Sequence, residues 1–335
     1  MASERALASR KEAEKILEKK SIPILGSIFG FGKEEKYEKA SDFFQRAGNE
    51  YKMAKDYNSA AEMYEKAAEC QDHVDLGQMQ KYRYLQDAAN TYKQAKNLEK
   101  AVSTFQNIIN YYNSQGKYNQ SAKMNNEIGD MLKDDDPAGA MTFYETAADL
   151  YHNDNPPKKS NGNQCLLKVA EIVSGKLEDY KKAAEIYEQL AVNSLETKLG
   201  AYSAKGHFFN SLLCHMATYD NVNVAIKLSQ YIEKDYTFGN SREGQFIDKL
   251  LKACDDFDED TYTSECALWD RISPISPQMT TILLRIKKHN FGNNNGGGKA
   301  SKDNNSNNNS NSSSNTETTV NAPEDDDDED LVDLT

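Results

Sequence analysis

Four stretches of this sequence repeat one pattern at intervals of roughly 40 residues. Each begins with Asp or Asn and continues with mostly apolar residues at relative positions i, i+3, i+7 and i+10, which share one face of an α-helix. The starting residues are Asp56, Asn97, Asp136 and Asp179, at intervals of 41, 39 and 43 residues. Because an Asp or Asn side chain accepts hydrogen bonds from the free amides at a helix start, each copy predicts a capped helix.

The helix that precedes the pattern repeats as well. The residues YKMAK at 51–55 return as YKQAK at 92–96. A period near 40 with two helices per unit predicts an all-α fold, a right-handed solenoid-like stack of antiparallel helical hairpins. True tetratricopeptide repeats have a period of about 34 residues, so a peptide-binding scaffold of that class is the less favoured alternative. Stacked hairpins bind other proteins more often than they catalyse reactions.

Charge is distributed unevenly along the chain, whose formal net charge is −13. Residues 291–335 hold ten Asp and Glu against Lys299 and Lys302, so they contribute −8 and leave −5 for the rest. An acidic chain is a poor candidate for binding phosphates, so no nucleic-acid partner is expected. Five cysteines without CxxC spacing indicate reduced thiols. The lack of a signal peptide or a long apolar run predicts a cytoplasmic protein.

The chain divides into four predicted parts. These are an N-terminal helix and apolar loop at 1–33, the hairpin repeat at 34–235, a helical segment outside the repeat at 236–290, and a disordered Asn/Ser-rich acidic tail at 291–335. The tail composition cannot bury enough apolar area to order itself. Within the body, we expect a surface loop at 153–162 and the last helices at 241–257 and 276–289.

No catalytic constellation is present in the sequence. Phosphate-loop, HExxH and GxSxG motifs are all missing. The five histidines are scattered, and the adjacent Cys214 and His215 do not share a helix face, so no metal site is expected. The neighbouring acids Asp255 and Asp256 are interpreted as solvated rather than catalytic. We therefore expect a protein that is not an enzyme and needs no cofactor.

The most apolar short stretch is SIPILGSIFGFG at 21–32. Its proline and glycines predict a loop rather than a helix. An exposed loop of this kind, flanked by lysines, suits reversible insertion into a membrane surface, since burying one such side chain contributes roughly 1.5–3 kcal/mol. Folding back to cap the first hairpin is the other interpretation, and the pattern alone leaves both open.

The recurring lysines and the C-terminus can each be interpreted in two ways, one functional and one simpler. Lysines recur on successive hairpins and would form a basic track for an acidic partner if they share one face; ordinary solvated lysine is the simpler interpretation. The C-terminus joins an acidic run at 324–330 to the residues DLVDLT at 330–335. It could be a linear motif that seats Leu334 in a partner's pocket, or a solubilising tail, which is the commoner use of such runs.

Several motifs, in order along the chain, resemble those of the soluble NSF attachment protein (SNAP) family. They are YKMAK at 51–55, QCLLKVA at 164–170, YSAK at 202–205, LCH at 213–215, NSRE at 240–243 and TTILLRIKK at 280–288. The resemblance covers about residues 10–290 and the extreme C-terminus. It favours the α/β type of the family, with the γ type as the alternative. It implies an adaptor that binds assembled four-helix SNARE complexes and recruits and stimulates the hexameric AAA ATPase NSF, which takes those complexes apart.

The resemblance also implies the fold and three sets of contact residues. The fold would be a twisted sheet of helical hairpins followed by a C-terminal helical bundle. Membrane binding falls on Ile24, Leu25, Ile28 and Phe29, which would make the protein peripheral on membranes. SNARE binding falls on Lys55, Lys93, Lys117, Lys123, Lys168, Leu199, Tyr202 and Lys205. ATPase binding falls on Asp220, Asp255, Asp256 and Leu334.

The chain departs from the family pattern at a few places. Gln164 stands where the family often has lysine, and Lys252 stands where an acid is usual. Aliphatic residues replace aromatic ones in part of the apolar loop. About thirty Asn/Ser/Gly-rich residues separate the last helix from the acidic end, although Leu334 is still next to last. Such a tether would lower the effective concentration of Leu334 at the ATPase without abolishing its role.

Overall fold

The computed structural model describes residues 2–18, 31–196 and 200–292. Over these ranges the chain forms α-helices and one short 3-10 helix, with no β-strand, which confirms the predicted all-α class. The first helices are α1 Ala2–Glu18, α2 Phe31–Met53, α3 Tyr57–Cys70, the 3-10 helix Gln71–His73, α4 Gln78–Gln94, α5 Leu98–Ser114, α6 Tyr118–Leu132 and α7 Pro137–His152. The others are α8 Lys159–Gly175, α9 Tyr180–Leu195, α10 Ala201–Met216, α11 Asn221–Lys234, α12 Arg242–Asp255, α13 Glu259–Ile272 and α14 Pro277–Phe291.

All four predicted helix caps are present. The side chain of Asp136 accepts from the amide of Gly139 at 2.9 Å, and that of Asp179 accepts from Lys182 at 3.0 Å. Asp56 and Asn97 cap α3 and α5 in the same way. The apolar positions i+3, i+7 and i+10 are buried in all four copies, as the periodicity predicts, and the first position is half-buried in three of them. Local capping and helical spacing therefore produce the hairpin stack that the sequence predicts.

Buried tyrosines pack against glycines of the preceding helix. A Cβ atom added to Gly129 in α6 would lie 2.6 Å from the ring of Tyr144 in α7, so only glycine allows this approach. The Tyr144 hydroxyl donates to Asp130 at 2.7 Å. Gly48 and Tyr64 repeat the arrangement between α2 and α3, with a distance of 2.9 Å. The aromatic rings thus fill the space between the helices of a hairpin, while their hydroxyl groups find polar partners at its edge.

Ion pairs between non-consecutive helices link α3 with α1 and α5, α7 with α9, and α6 with α4 and α8, as expected for two layers. In the layer of odd-numbered helices, Lys66 contacts Glu14 at 3.5 Å, Lys100 contacts Glu62 at 3.3 Å and Lys182 contacts Glu145 at 2.9 Å. In the layer of even-numbered helices, Lys93 contacts Glu127 at 2.5 Å and Lys168 contacts Asp130 at 2.7 Å. We call these the odd layer and the even layer.

Among the described residues, those from 215 to 292 form a second compact unit, in which α12, α13 and α14 leave the repeat. The rings of Phe246 in α12 and Trp269 in α13 lie 4.6 Å apart, and the Tyr262 hydroxyl donates to the Leu283 carbonyl at 3.0 Å. The first unit ends at Cys214. The predicted domain boundaries at 33, 235 and 290 stay predictions.

One detail of the sequence prediction was incomplete and two were wrong. Residues 259–272 form helix α13 between the two C-terminal helices that we expected. Its only buried residues are Tyr262 and Trp269, seven positions apart, too few to give a periodic signal. The predicted loop at 153–162 ends earlier, because α8 already begins at Lys159. The predicted loop at 21–32 also overlaps α2, which begins at Phe31.

Candidate partner-binding surfaces

Four of the six SNARE-binding lysines implied by the family resemblance lie in even-numbered helices. Lys93 lies in α4, Lys123 in α6, Lys168 in α8 and Lys205 in α10. Lys55 follows the last turn of α2, and Lys117 precedes the first turn of α6. The helical hairpin explains this placement, since residues one period apart occupy equivalent helices of the stack.

Three of these lysines lie close together on α4, α6 and α8. Lys123 precedes Glu127 by one helical turn, and Glu127 is the ion-pair partner of Lys93. Asp130, one turn further along α6, is the partner of Lys168. The same face of α6 therefore links the side chains that the three helices contribute.

Lys168 lies at the centre of this face. Its ammonium group donates to Asp130 Oδ1 at 2.7 Å and to Asn126 Oδ1 at 3.0 Å, and it lies 4.9 Å from the centre of the Tyr144 ring. Burial alone would raise the pKa of Asp130, but the hydrogen bonds from Lys168 and Tyr144 outweigh it and hold that pKa below its usual value of 3.8. Asp130 is therefore an anion at neutral pH and orients Lys168.

These acidic partners reduce the positive charge of the face. The pairs Lys93–Glu127 and Lys168–Asp130 are each neutral overall, so the long-range field is weaker than the lysines alone suggest. Sequence reasoning missed both acids because ordinary Glu and Asp on a helix carry no local signal of a partner in another hairpin.

The other predicted contact residues are more scattered. Lys55 and Lys117 are exposed, as is Lys123, and Lys205 is half-buried. Tyr202, at the start of α10, is 82% exposed, which is unusual for a large aromatic side chain and leaves its ring available to a partner. Leu199 lies outside the described residues.

The second unit brings the three predicted ATPase-contacting acids of its folded part together. Asp220 caps α11 by accepting from the amide of Asn223 at 3.0 Å. The next residue, Asn221, donates to Asp255 at the end of α12 at 2.8 Å, and Asp256 follows Asp255. The start of α11 and the end of α12 thus present one exposed cluster of carboxylates.

Asp258 extends this acidic cluster and was missed by the sequence analysis. It caps α13 by accepting from the Thr261 amide at 2.9 Å and from the Thr261 hydroxyl at 2.6 Å. These hydrogen bonds lower the pKa of Asp258. Lys252, which stands where the family usually has an acid, is paired with Asp248 at 2.7 Å. This pairing limits the effect of its charge on the cluster.

Several predicted contacts lie outside the described ranges. They are the membrane-binding residues Ile24, Leu25, Ile28 and Phe29 and the C-terminal residue Leu334. Within the described ranges, no helix is long and apolar enough to cross a membrane.

The cysteines and other potential ligands do not form a chemical site in the described part of the chain. No group of three His, Cys, Asp or Glu there could hold a metal ion. Cys70, Cys165, Cys214 and Cys254 are buried, and burial raises the pKa of Cys214 to about 12. A thiol with so high a pKa is protonated at neutral pH and is a poor nucleophile.

Comparison with known proteins identifies the family. The family model described as "Soluble NSF attachment protein, SNAP" matches residues 4–290. Beta-soluble NSF attachment protein from Bos taurus is 35% identical over 280 residues, which are 83% of this chain and 91% of the relative. Alpha-soluble NSF attachment protein from Homo sapiens is 34% identical over 286 residues, 84% of this chain and 94% of the relative. Vesicular-fusion protein SEC17 from Komagataella phaffii is 29% identical over 292 residues, 83% of this chain and 95% of the relative. The chain therefore belongs to the soluble NSF attachment protein family, whose members are non-enzymatic proteins of vesicle fusion.

Proposed function

We propose that the protein is an adaptor that binds assembled SNARE complexes through the even layer and recruits the ATPase NSF through the acidic cluster of its second unit. Members of the family are named for NSF attachment, and this chain matches them over most of its length. NSF supplies the ATP hydrolysis, and the adaptor contacts the SNARE complex with one surface and NSF with another.

The observation that supports SNARE binding most strongly is the placement of Lys93, Lys123 and Lys168. They are separate in sequence but lie on α4, α6 and α8, which ion pairs link into one layer. Asn126 and Asp130 orient Lys168, which reduces the side-chain entropy lost when it contacts an acidic partner. The paired acids also reduce attraction to anions in general, so recognition depends on close fit more than on net charge.

The acidic cluster suits a basic surface on the ATPase. Asp220, Asp255, Asp256 and Asp258 are exposed carboxylates, and three of them are fixed by hydrogen bonds to Asn221, Asn223 or Thr261. Fixed acids lose little freedom when a lysine or arginine of a partner approaches. Leu334, at the end of the tail, would add an apolar contact.

Reconstituted disassembly tests the proposed function directly. SNARE complexes in liposomes are mixed with NSF and ATP, with and without the protein, and loss of the complex is followed over time. The proposal expects disassembly only when the protein is present, and slower disassembly with Leu334→Ala. Absence of stimulation by the wild-type protein would contradict the adaptor role.

Removing residues 293–322 tests the role of the long tether. The deletion begins after Gly292 because Phe291 is 4% exposed and packs against Tyr262, with ring centres 5.4 Å apart. Bringing Leu334 closer should preserve or increase the stimulation of ATP hydrolysis. A loss of stimulation would show that the inserted residues themselves are needed.

A peptide-binding scaffold is the second candidate. A cleft of about 880 Å³ lies among α8, α9 and α10, and its lining includes the amides of Asn163, Asn193 and Asn210, a residue type that can bond an extended backbone. This function expects Asn163→Leu with Asn193→Leu to abolish SNARE binding while neutralisation of even-layer lysines does not. The opposite result would favour the lysine surface.

A further inference from the structure

The turn between α3 and α4 exposes two large apolar side chains. Leu76 is 98% exposed and Met79, in the first turn of α4, is 78% exposed. Single exposed apolar residues are common on protein surfaces. Here, however, two such side chains lie three residues apart at one end of a hairpin, and the backbone of the turn holds one of them in an unfavourable conformation.

Leu76 has a φ angle of 63°, in the left-handed region that side chains with a Cβ disfavour. Other non-glycine residues with positive φ, such as Lys55, Lys96 and Glu178, directly precede the Asp or Asn that caps the next helix. Leu76 instead precedes Gly77, which caps α4 without a side chain. The repeating cap therefore does not explain the conformation of Leu76.

The turn is firmly built around this residue. The Gln71 side chain is 5% exposed and donates to the Ser41 hydroxyl of α2 at 2.8 Å. The amide of Gly77 donates to the Val74 carbonyl at 3.0 Å, and a Cβ atom at Gly77 would lie 2.5 Å from the Gln71 carbonyl oxygen. These contacts fix the backbone on both sides of Leu76 and present its side chain to solvent.

The turn lies at the end of the hairpins where residues 19–30 connect α1 to α2. The rings of His73 and Tyr37 lie 4.0 Å apart. Tyr37 is six residues after Phe31, where α2 begins, and six helical residues span about 9 Å. The turn is therefore close to the point at which the predicted membrane loop joins the folded body.

We propose that Leu76 and Met79 insert into the same lipid surface as the predicted membrane loop and form a second contact of the protein with the bilayer. This inference rests on the proposal that the apolar loop implied by the family resemblance binds membranes. Both side chains are apolar and exposed, and membrane binding at the boundary between headgroups and acyl chains grows with the apolar area that is buried there. Near the turn, Lys81 and Asp72 form an ion pair at 2.6 Å. The acid closest to Leu76 in sequence is Asp75.

Vesicle flotation with the full chain tests this inference. The probe is a vesicle of phosphatidylcholine and phosphatidylserine without SNARE proteins. The double substitution Leu76→Ser with Met79→Ser should weaken binding by roughly tenfold, because two apolar insertions are lost. Met53→Ser is the matched control, since Met53 is 79% exposed but lies at the other end of α2. It should bind vesicles like the wild type.

A loop variant, Ile28→Ser with Phe29→Ser, separates failure of the inference from failure of the proposed membrane loop. Weaker binding of both double variants supports two contacts. Weaker binding of the loop variant alone would overturn the second contact and leave the proposed loop intact. Weaker binding of the turn variant alone would support the turn as a membrane contact and exclude the loop as one. Unchanged binding of both would overturn the two together. Unchanged helicity and unfolding midpoint would show that the turn variant is folded.

Discussion

Helices on both sides of the Cys214–His215 boundary begin with side-chain caps, but the two units differ in the spacing of their helices. In the first unit, caps such as Asp136 and Asp179 recur once per hairpin. In the second unit, Ser241, Asp258 and Ser276 cap α12, α13 and α14 at shorter intervals. A cap involves only residues within one helical turn, so it forms in both units. The face that a helix buries depends on the helices around it, and their arrangement repeats only in the first unit.

The two units also present charge differently. In the first, lysines such as Lys93 and Lys168 are paired with acids of a neighbouring hairpin. In the second, carboxylates such as Asp220 and Asp255 are held by neutral amides. The ion pairs of the first surface are neutral overall, whereas the carboxylate cluster of the second is negative. Under the proposed function, this difference separates recognition of the SNARE complex from attraction of the ATPase.

The largest effect on stability should come from the tight contact that the hairpin repeat requires. We expect Gly129→Ala to lower the free energy of unfolding by about 1–3 kcal/mol, because its Cβ would press on the Tyr144 ring. Chemical denaturation of the full chain measures the change. Gly206→Ala is the matched control, since a Cβ there meets no atom within 4 Å. It should stabilise α10 slightly, and equal losses at both positions would contradict the packing argument.

Removing one helix cap from each unit should destabilise the protein less than Gly129→Ala does, and by a similar amount in the two units. Asp136→Ala and Asp258→Ala each remove an acceptor for a free helix amide. Asp136→Ala should lower the free energy of unfolding by about 1 kcal/mol, and Asp258→Ala should lower it as well. The corresponding Asn variants keep an acceptor oxygen, so their free energy of unfolding should fall much less. A large loss in only one unit would show that capping depends on the surrounding fold.

The smallest effect concerns pH and the paired acid of the first unit. Since the folded pKa of Asp130 is depressed, its contribution to stability is present above the usual value of 3.8 and is lost as pH falls through the folded pKa. Asp130→Asn should therefore lose less stability than the wild type on acidification from neutral pH to below that pKa. Lys168→Met, which removes the ion-pair partner, should behave similarly. Identical pH profiles for all three proteins would exclude the pair as a contributor.

The sequence predicts much of the first unit and less of the second. Asp56, Asn97, Asp136 and Asp179 each mark a helix start, because capping needs only residues within one turn. Helix α13 escaped prediction because its two buried side chains give no period. The Lys168–Asp130 pair joins residues 38 positions apart. Such contacts depend on how hairpins stack and have no local signature.

Affinity for a SNARE complex, measured with two matched variants, tests the central claim most directly. One variant carries Lys93→Gln, Lys123→Gln and Lys168→Gln in the even layer. The other carries Lys66→Gln, Lys100→Gln and Lys182→Gln in the odd layer, where each lysine is also ion-paired. Both lose the same charge. We expect the even-layer variant to bind about tenfold more weakly, the sum of three modest charge contacts, and the odd-layer variant to change less than about twofold. Equal weakening of both variants would contradict a binding surface on the even layer.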